Sequence, residues 1–263
     1  MTNARVRRWL TGWVIVACAV IAACVSSYGQ SAEASAAKPA ASAAIPSADQ
    51  ILDRYVQATG GRAAWQKLTS RHSSGTIEAP ALNLSGTIDI FEKAPNRVLA
   101  VMVMMGASFR QGFDGTVAWT DDPQNGLREL SGPELAETRR DADFYHPLDL
   151  RQLYSKFMVR GVEKVGEREA YAVEATPPEG GEPENVYFDR GTGLLLRLVS
   201  HRHGPEGSEE IQQDFEDYRE VDGIKLPFLV HQDSAGAALT IRVSEVHHNV
   251  PMDDSQFAKP AVQ

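Results

Sequence analysis

The sequence contains very little cysteine: Cys18 and Cys24 are the only two, and both lie in its N-terminal region. The rest of the chain therefore has neither an internal disulfide nor a thiolate metal site. The sequence also lacks the motifs G-x-S-x-G, H-E-x-x-H and C-x-x-C-H, a Walker loop and a dinucleotide-binding fingerprint. These absences exclude the enzyme classes that depend on such motifs. We expect no catalytic residue, no metal and no cofactor.

The sequence also has fewer basic than acidic residues. Lysine and arginine number 26 against 35 aspartate and glutamate residues, which gives a formal net charge of -9. We therefore expect no nucleic-acid partner, because phosphate neutralisation needs a basic surface. With 263 residues and 43% hydrophobic content, the chain is long enough for one sizeable core or two small ones.

The N-terminal region has the pattern of a secretory leader. Arg5, Arg7 and Arg8 precede an apolar stretch at residues 14–23, which has the length of a secretory apolar core. A membrane-spanning helix needs about 20 apolar residues, so this stretch is too short for one. We predict a signal peptide at residues 1–24, and an uncleaved anchor beginning at Trp9 stays open as the alternative.

The end of this leader resembles a bacterial lipobox. Residues 21–24 read Ile-Ala-Ala-Cys, and in that motif the cysteine is diacylated and becomes the new N-terminus. An acylated Cys24 would tether the protein to a membrane leaflet. In the alternative, Cys24 is only a small apolar residue and cleavage occurs near residues 32–37. Residues 25–46 are rich in Ser, Ala and Pro, which predicts a disordered linker.

The folded domain is predicted at residues 47–263 and begins with two helices. Ser47 and Gln50 have the spacing of a capping box, apolar residues at helical spacing follow, and Gly60 and Gly61 end the helix. A shorter helix is predicted at residues 62–68. A Gly-Gly step before a helix can cradle a phosphate, but no flanking Lys, Ser or Thr pattern supports a nucleotide site.

From Arg71 onward the hydrophobic period is two, which is typical of β-strands. Asp114-Gly115 predicts a two-residue hairpin. A polar loop is predicted at residues 121–128, and a helical insertion is predicted at residues 132–143 and 148–157. The meander at residues 162–199 is predicted to be the central wall of one antiparallel sheet. The predicted strands are 73–78, 82–92, 97–104, 108–113, 116–120, 162–165, 170–176, 185–189, 194–199, 209–219, 225–233 and 238–247.

Residues 98–105 are apolar on both faces of their predicted strand and hold three of the six methionines. They are interpreted as a central strand covered by a helix on one side and by core on the other. A pliable lining for an apolar ligand is the functional alternative, because methionine adapts to varied shapes.

Histidines are the one residue type that could suggest a metal. His201 and His203 share a face of one predicted strand, and His247 and His248 lie on the last one. No carboxylate lies at a set spacing from them, so they are interpreted as solvated ends of a sheet.

Several segments together resemble the outer-membrane lipoprotein-sorting superfamily, whose members are periplasmic carriers with a LolA/LolB-like fold. The likeness extends over about residues 47–260 and is strongest to the broad group of bacterial members rather than to the lipoprotein carrier itself. Its motifs are turn-and-strand signatures and are specific for the fold rather than for a ligand. The segments are ILDRYVQATGGRAAWQKLTS, FDGTVAW, YFDRGTGLLLRL, DYREVDGIKLPF and NVPMDDSQF.

The resemblance implies a mainly β (α+β) fold, in which one antiparallel sheet curls into an incomplete β-barrel. N-terminal helices and a helical insertion would cover the concave face. It also implies a non-catalytic periplasmic protein, membrane-anchored if Cys24 is acylated, that binds or carries lipid acyl chains or a lipoprotein. The alternative is a protein-interaction, regulatory or assembly module of the envelope. The third hypothesis is an enzyme, and no sequence motif supports it.

We expect a monomer whose cavity is lined by the apolar alternates of the predicted strands. A half-barrel lined by aliphatic and aromatic side chains suits an acyl chain. The candidate lining residues are Leu84, Ile88, Met102, Met104, Phe113, Trp119, Tyr171, Val173, Phe188, Leu196 and Leu198.

Overall fold

Thirteen strands of the described residues form one antiparallel sheet that does not close on itself. The structure is a computed structural model that describes residues 45–205, 207–234 and 237–261. The predicted signal peptide, Cys24 and nearly all of the predicted linker lie outside these residues. The sheet is the predicted incomplete barrel. Its strands are β1 (Ser70–Ala79), β2 (Leu84–Lys93), β3 (Arg97–Met104), β4 (Ala107–Phe113), β5 (Ala118–Asp122), β6 (Gly126–Glu129), β7 (Lys156–Val165), β8 (Arg168–Thr176), β9 (Glu184–Asp189), β10 (Leu195–Gly204), β11 (Gly207–Val221), β12 (Ile224–Ser234) and β13 (Ala237–His248).

Two meanders meet where the first strand pairs with the last. The order across the sheet is β6-β5-β4-β3-β2-β1-β13-β12-β11-β10-β9-β8-β7. The centre of the sheet is therefore β1 and β13, and the prediction that residues 162–199 form its central wall is wrong. Those residues lie at one end, in β7 to β10. Alternation within a strand does not specify which distant strand it pairs with, so the order was not readable from the local pattern.

The hairpin at β4–β5 differs from its prediction. Asp114 accepts hydrogen bonds from the backbone N–H groups of Thr116 and Val117 at 2.8 and 2.7 Å, and β5 begins at Ala118. The connection is thus a four-residue loop organised by an aspartate side chain, which is a common turn device. A two-residue turn does occur at Asp222 and Gly223, where both φ angles are positive.

Two other assignments around the insertion are wrong. The predicted polar loop at residues 121–128 is a hairpin in which Trp119 pairs with Glu129, and Asp122 caps its turn. The predicted helix at residues 148–157 ends at Leu153, and β7 begins at Lys156. In both places the side chains are polar or mixed, so sheet pairing overrides a weak local preference.

The helices precede β1 and connect β6 to β7. They are α1 (Ala48–Ala58), α2 (Arg62–Trp65), α3 (Gly132–Asp141) and α4 (His146–Leu153). The predicted capping box is present at α1, where the Gln50 N–H donates to Ser47 Oγ and the Ser47 N–H donates to Gln50 Oε1. None of the helices in the described part of the chain has the length and hydropathy needed to span a bilayer.

The two faces of the sheet are covered by different parts of the chain. The inner face carries Val98 and Phe113 in a cluster with Leu135 of α3, and α1 packs against the inner face of β8 and β9. The outer face carries Leu99 and Trp119, which pack under Phe257 of the C-terminal segment. The first part of residues 98–105 is apolar on both sides because core covers one side and this segment covers Leu99 and Val101 on the other, whereas Val103 and Met105 are exposed. The outer cover is therefore the C-terminal segment and not the predicted helix.

Candidate functional site

A cavity of about 270 Å³ lies between the inner face of the sheet and the helices. Its roof comes from α1, α2 and the segment that joins α3 to α4, through Tyr55, Trp65 and Phe144. Its floor comes from the central strands and from β10 to β12. Apolar floor residues are Ile88, Ile90, Leu195, Leu198, Phe215, Leu226, Val230, Ile241, Val243 and Val246.

The floor is shaped by a glycine at the centre of the sheet. Gly75 lies opposite Ile88 on one side and Val243 on the other, next to a register shift between Ser74 and Gly75. A Cβ atom at this position would lie 2.2 Å from the Arg242 carbonyl oxygen, so a larger residue cannot occupy it without moving the backbone. Irregular pairing bends a strand and increases its twist, which suits a curled sheet.

Two arginines border the apolar cavity. The Arg71 guanidinium donates to Glu92 from Nε and Nη2, each at 2.6 Å, and lies near the rings of Trp65 and Phe144. Arg202 pairs with Asp141 at 3.1 Å, and its side chain is only 4% exposed. Burial alone would lower the pKa of Arg202, but the charges of Asp141 and Glu184 outweigh it and raise the pKa. Arg202 therefore stays cationic.

A buried ionic cluster lies beside Arg202. Glu184 is 1% exposed, accepts a hydrogen bond from Arg140 Nη2, and accepts another from the Tyr154 hydroxyl at 2.7 Å. Burial, followed by the charge of Glu184, raises the pKa of Tyr154 well above its usual value, so the phenol remains a donor. This cluster joins α3, the end of α4 and the start of β9, and it fixes the two helices whose connecting segment forms part of the cavity roof.

Asp143 lies in the segment between α3 and α4, where its side chain is half-buried. Burial raises the pKa of its carboxyl to about 6. The hydrogen bond from the Tyr145 N–H lowers the pKa, and the charge of Asp149 adds a smaller increase. The folded pKa is above the unfolded value of about 3.9, so the charged form costs stability above pH 6 and the cost disappears as pH falls toward 4.

Asp143→Asn is therefore expected to stabilise the protein at pH 7.5 and to have little effect at pH 4.5. The shift corresponds to about 3 kcal/mol in full, and partial exposure reduces the expected gain to about 1 kcal/mol. The asparagine oxygen still accepts from the Tyr145 N–H. Urea denaturation at the two pH values measures the difference, and a change that is the same at both would contradict it.

The structure places the eleven predicted lining residues in five different environments, of which the cavity wall is one. Ile88 and Leu198 border the cavity. Leu196 is buried in β10 outside its wall. The packed inner cluster holds Leu84, Met102, Met104 and Phe113, while Tyr171, Val173 and Phe188 pack in the cluster beneath α1. Contact of any of these residues with a ligand stays a prediction.

Trp119 lies on the wrong face for a lining residue. It pairs with Gly112, which pairs with Leu99, so all three share the outer face. Its indole N–H donates to the Phe257 carbonyl oxygen at 2.9 Å. The prediction that Trp119 lines the cavity is wrong. Phe113 pairs with Ala118, and successive residues of a strand point to opposite faces, so Trp119 lies on the face opposite Phe113.

The sequence analysis missed the roof aromatics and the buried arginines. Arg202 had a readable signal, because it follows Leu196, Leu198 and Ser200 at a spacing of two on one face of β10. A charged residue in phase with apolar alternates predicts a buried, functional or paired charge. Arg71 was missed because its strand was predicted to begin at Ser73.

The histidines do not converge on a metal. Among the residues that the structure describes, no group of three or more His, Cys, Asp or Glu side chains is arranged to hold one. Each of the four histidines instead contacts a carboxylate: His201 contacts Glu182, His203 contacts Glu137, His247 contacts Glu245, and His248 contacts Asp222.

Comparison with solved structures identifies the architecture. A DUF1329 family protein from Desulfovibrio piger matches with a TM-score of 0.52 at 17% identity, over 80% of this chain and 96% of that one. A LolA superfamily protein from Nitrosomonas europaea matches with a TM-score of 0.52 at 12% identity, over 82% and 99%. The fold is LolA-like.

A third LolA-like match is an outer membrane lipoprotein-sorting protein domain from Vibrio parahaemolyticus. Its TM-score is 0.51 at 13% identity, over 80% of this chain and 95% of that one. No family model and no curated protein matches the sequence. Identities this low establish the LolA-like fold alone, so the ligand has to be argued from this chain's own cavity.

Proposed function

We propose that this protein is a non-catalytic envelope protein that binds a hydrophobic ligand, such as a lipid acyl chain, in the cavity under its helices. The observation that supports the proposal most is the cavity itself, because a LolA-like sheet with a solid core would leave no room for a chain. Aliphatic and aromatic side chains make up most of its floor and roof. Sites of this composition suit apolar ligands with a few polar contacts.

The size of the cavity limits the ligand. Ligand pockets span roughly 300–1,000 Å³, and this one is about 270 Å³, so it suits part of a single chain rather than a multi-chain lipid. Each buried methylene contributes about 0.8 kcal/mol, so a few methylenes suffice for measurable binding. A larger ligand requires the helices to move. Two ion pairs from Arg151 to Asp49 and Asp53 connect α4 to α1 at the surface, where such pairs contribute little.

Export and acylation at Cys24 belong to the same proposal. The outer membrane lipoprotein-sorting domain from Vibrio parahaemolyticus has the same fold and supports an envelope location. In this arrangement the linker at residues 25–46 holds the cavity away from the membrane to which Cys24 is anchored.

Filling the cavity tests the binding proposal. Ser73 borders the cavity, between Ile90 and Val246 on the two neighbouring strands. Ser73→Phe is expected to displace two or three methylenes of a bound chain, which corresponds to a loss of affinity of about 30-fold. The affinity for a dodecyl-chain probe is measured by isothermal titration calorimetry.

Ser85→Phe is the matched control. Ser85 is exposed on β2, faces Glu78 of β1 and does not border the cavity. It is expected to bind the probe like the wild type. Equal loss in both variants, or no loss in Ser73→Phe, would count against binding in this cavity.

The alternative of a protein-interaction module has less support. Such a module would use an exposed apolar patch or a free sheet edge, and the free edges are β6 and β7. β6 has four residues, and β7 carries Lys156, Arg160, Glu163 and Lys164. Short strands and charged side chains are the features by which proteins protect an edge from pairing with another chain.

A further inference from the structure

Two arginines that border the cavity have buried side-chain N–H groups without a hydrogen-bond partner. Among the described residues, the buried side-chain atoms that lack a partner and belong to residues bordering the cavity are Nη1 of Arg71 and both Nε and Nη1 of Arg202. All three are N–H donors. A buried donor without an acceptor is costly, and the cost is larger for a charged group. A ligand that adds acceptors to this wall would remove the cost.

The surroundings of Arg202 leave its guanidinium with few hydrogen-bond acceptors. Its carboxylate partner, Asp141, is reached at 3.1 Å, so a single ion pair serves a guanidinium with five N–H donors. Glu184, the other nearby carboxylate, is already occupied by Arg140 and Tyr154. Arg202 is 5% exposed in total, so bulk water does not solvate it.

Most of the rest of the wall is apolar, which limits what can bring those acceptors. Its carboxylates are Asp143 and the two that already pair with the arginines, Glu92 and Asp141. Ile88, Leu198 and Val230 border the same cavity as the two arginines. A free inorganic anion would leave this apolar surface in contact with water, whereas an uncharged chain would leave the N–H donors unpaired. A molecule with one charged end and one apolar end satisfies both parts of the wall.

We propose that the cavity binds a single-chain amphiphile with an oxyanion head group, a carboxylate or a phosphate monoester, whose oxygens accept hydrogen bonds from Arg202 and Arg71. The proposal rests on the proposed function and names the chemical class of its ligand. Arginine suits the role because its planar fork pairs with both groups through parallel charge-assisted hydrogen bonds. The apolar chain lies along the floor of the cavity.

The test compares four probes with the purified full chain: dodecanoic acid, its methyl ester, dodecyl phosphate and inorganic phosphate. Isothermal titration calorimetry gives each dissociation constant. Dodecanoic acid or dodecyl phosphate is expected to bind roughly 10- to 100-fold more tightly than the ester, since charge-assisted hydrogen bonds are lost in the ester. Which of the two binds more tightly distinguishes a carboxylate from a phosphate head group. Inorganic phosphate alone is expected to bind too weakly to measure.

Arg202→Met is expected to remove the preference. The affinity for the preferred anion falls to that for the ester, while the affinity for the ester is unchanged. The double variant Arg202→Met/Asp141→Asn leaves no unpaired carboxylate and repeats the test if the single variant does not fold. Arg128→Met is the matched control, because Arg128 also has an unpartnered Nε and a carboxylate partner, Glu134, but lies outside the cavity. It is expected to retain the preference.

The outcomes separate this inference from the proposed function. If acid, phosphate and ester bind equally well, the oxyanion inference is wrong and acyl-chain binding stands. If inorganic phosphate binds as tightly as dodecyl phosphate, the site is an anion site and the inference is also wrong. If no chain-bearing probe binds, the proposed function itself fails.

Discussion

Glu184→Ala is expected to lower the free energy of unfolding by about 3–5 kcal/mol, the cost of removing one partner of a buried ion pair. Glu184 is the acceptor for both Arg140 and Tyr154, and Arg140 is itself only 8% exposed. Without the carboxylate, the buried guanidinium loses its hydrogen-bonded acceptor and keeps only the charge of Asp141, which already pairs with Arg202. Urea denaturation followed by circular dichroism measures the loss.

Glu174→Ala is the matched control for this variant. Glu174 on β8 pairs with Arg160 of β7, but the Arg160 side chain is 49% exposed. Such a pair contributes about 1 kcal/mol or less, so this variant is expected to remain near wild-type stability. Losses of similar size in the two variants would contradict the account of the buried cluster. The paired change Arg140→Met with Glu184→Leu is expected to recover stability, because it leaves no unpaired charge.

Trp119→Ala is expected to lower the free energy of unfolding by a similar amount, about 3–5 kcal/mol, because it removes a large buried side chain from the outer face of the sheet. Trp119 is 1% exposed, and it holds the C-terminal segment through its hydrogen bond to the Phe257 carbonyl. Its ring covers Gly112, where a Cβ atom would lie 2.4 Å from the ring. Alanine leaves a cavity that this rigid surface cannot fill by small movements.

The same variant separates stability from binding. Since Trp119 lies on the outer face, its loss is expected to leave the affinity for an acyl chain unchanged under conditions where the protein is folded. Trp119→Phe keeps most of the apolar volume and is expected to lose less stability. Chemical denaturation gives the stabilities, and calorimetry with the dodecyl probe gives the affinities. A selective loss of chain binding in Trp119→Ala would contradict the placement of the ligand on the inner face.

Much of the fold was predictable from local pattern. The capping box at Ser47 and the long alternating strands were readable because each depends on residues close together in sequence. The position of β7 to β10 at one end of the sheet was not, because it depends on the pairing of β1 with β13. The hairpin of β5 and β6 was missed because its residues are mostly polar and resemble a loop.

The site was less predictable than the fold. The apolar alternates identify residues that face inward, but whether such residues enclose space or fill it depends on how the helices pack over them. Ile88 borders the cavity, whereas Met102, its direct pairing partner on the neighbouring strand, lies in the packed cluster without bordering the cavity. Arg71 and Arg202 come from strands that are distant in the chain, and only the curled sheet places both on one wall.

The most direct test of the central claim is native mass spectrometry of the protein purified gently from its own cell envelope, beside the Ser73→Phe variant. The account predicts that the wild type carries a bound lipid or fatty acid, released on activation, and that the variant carries much less of it. A wild-type protein that is free of ligand, and that takes up no lipid after delipidation and exchange, would contradict the claim.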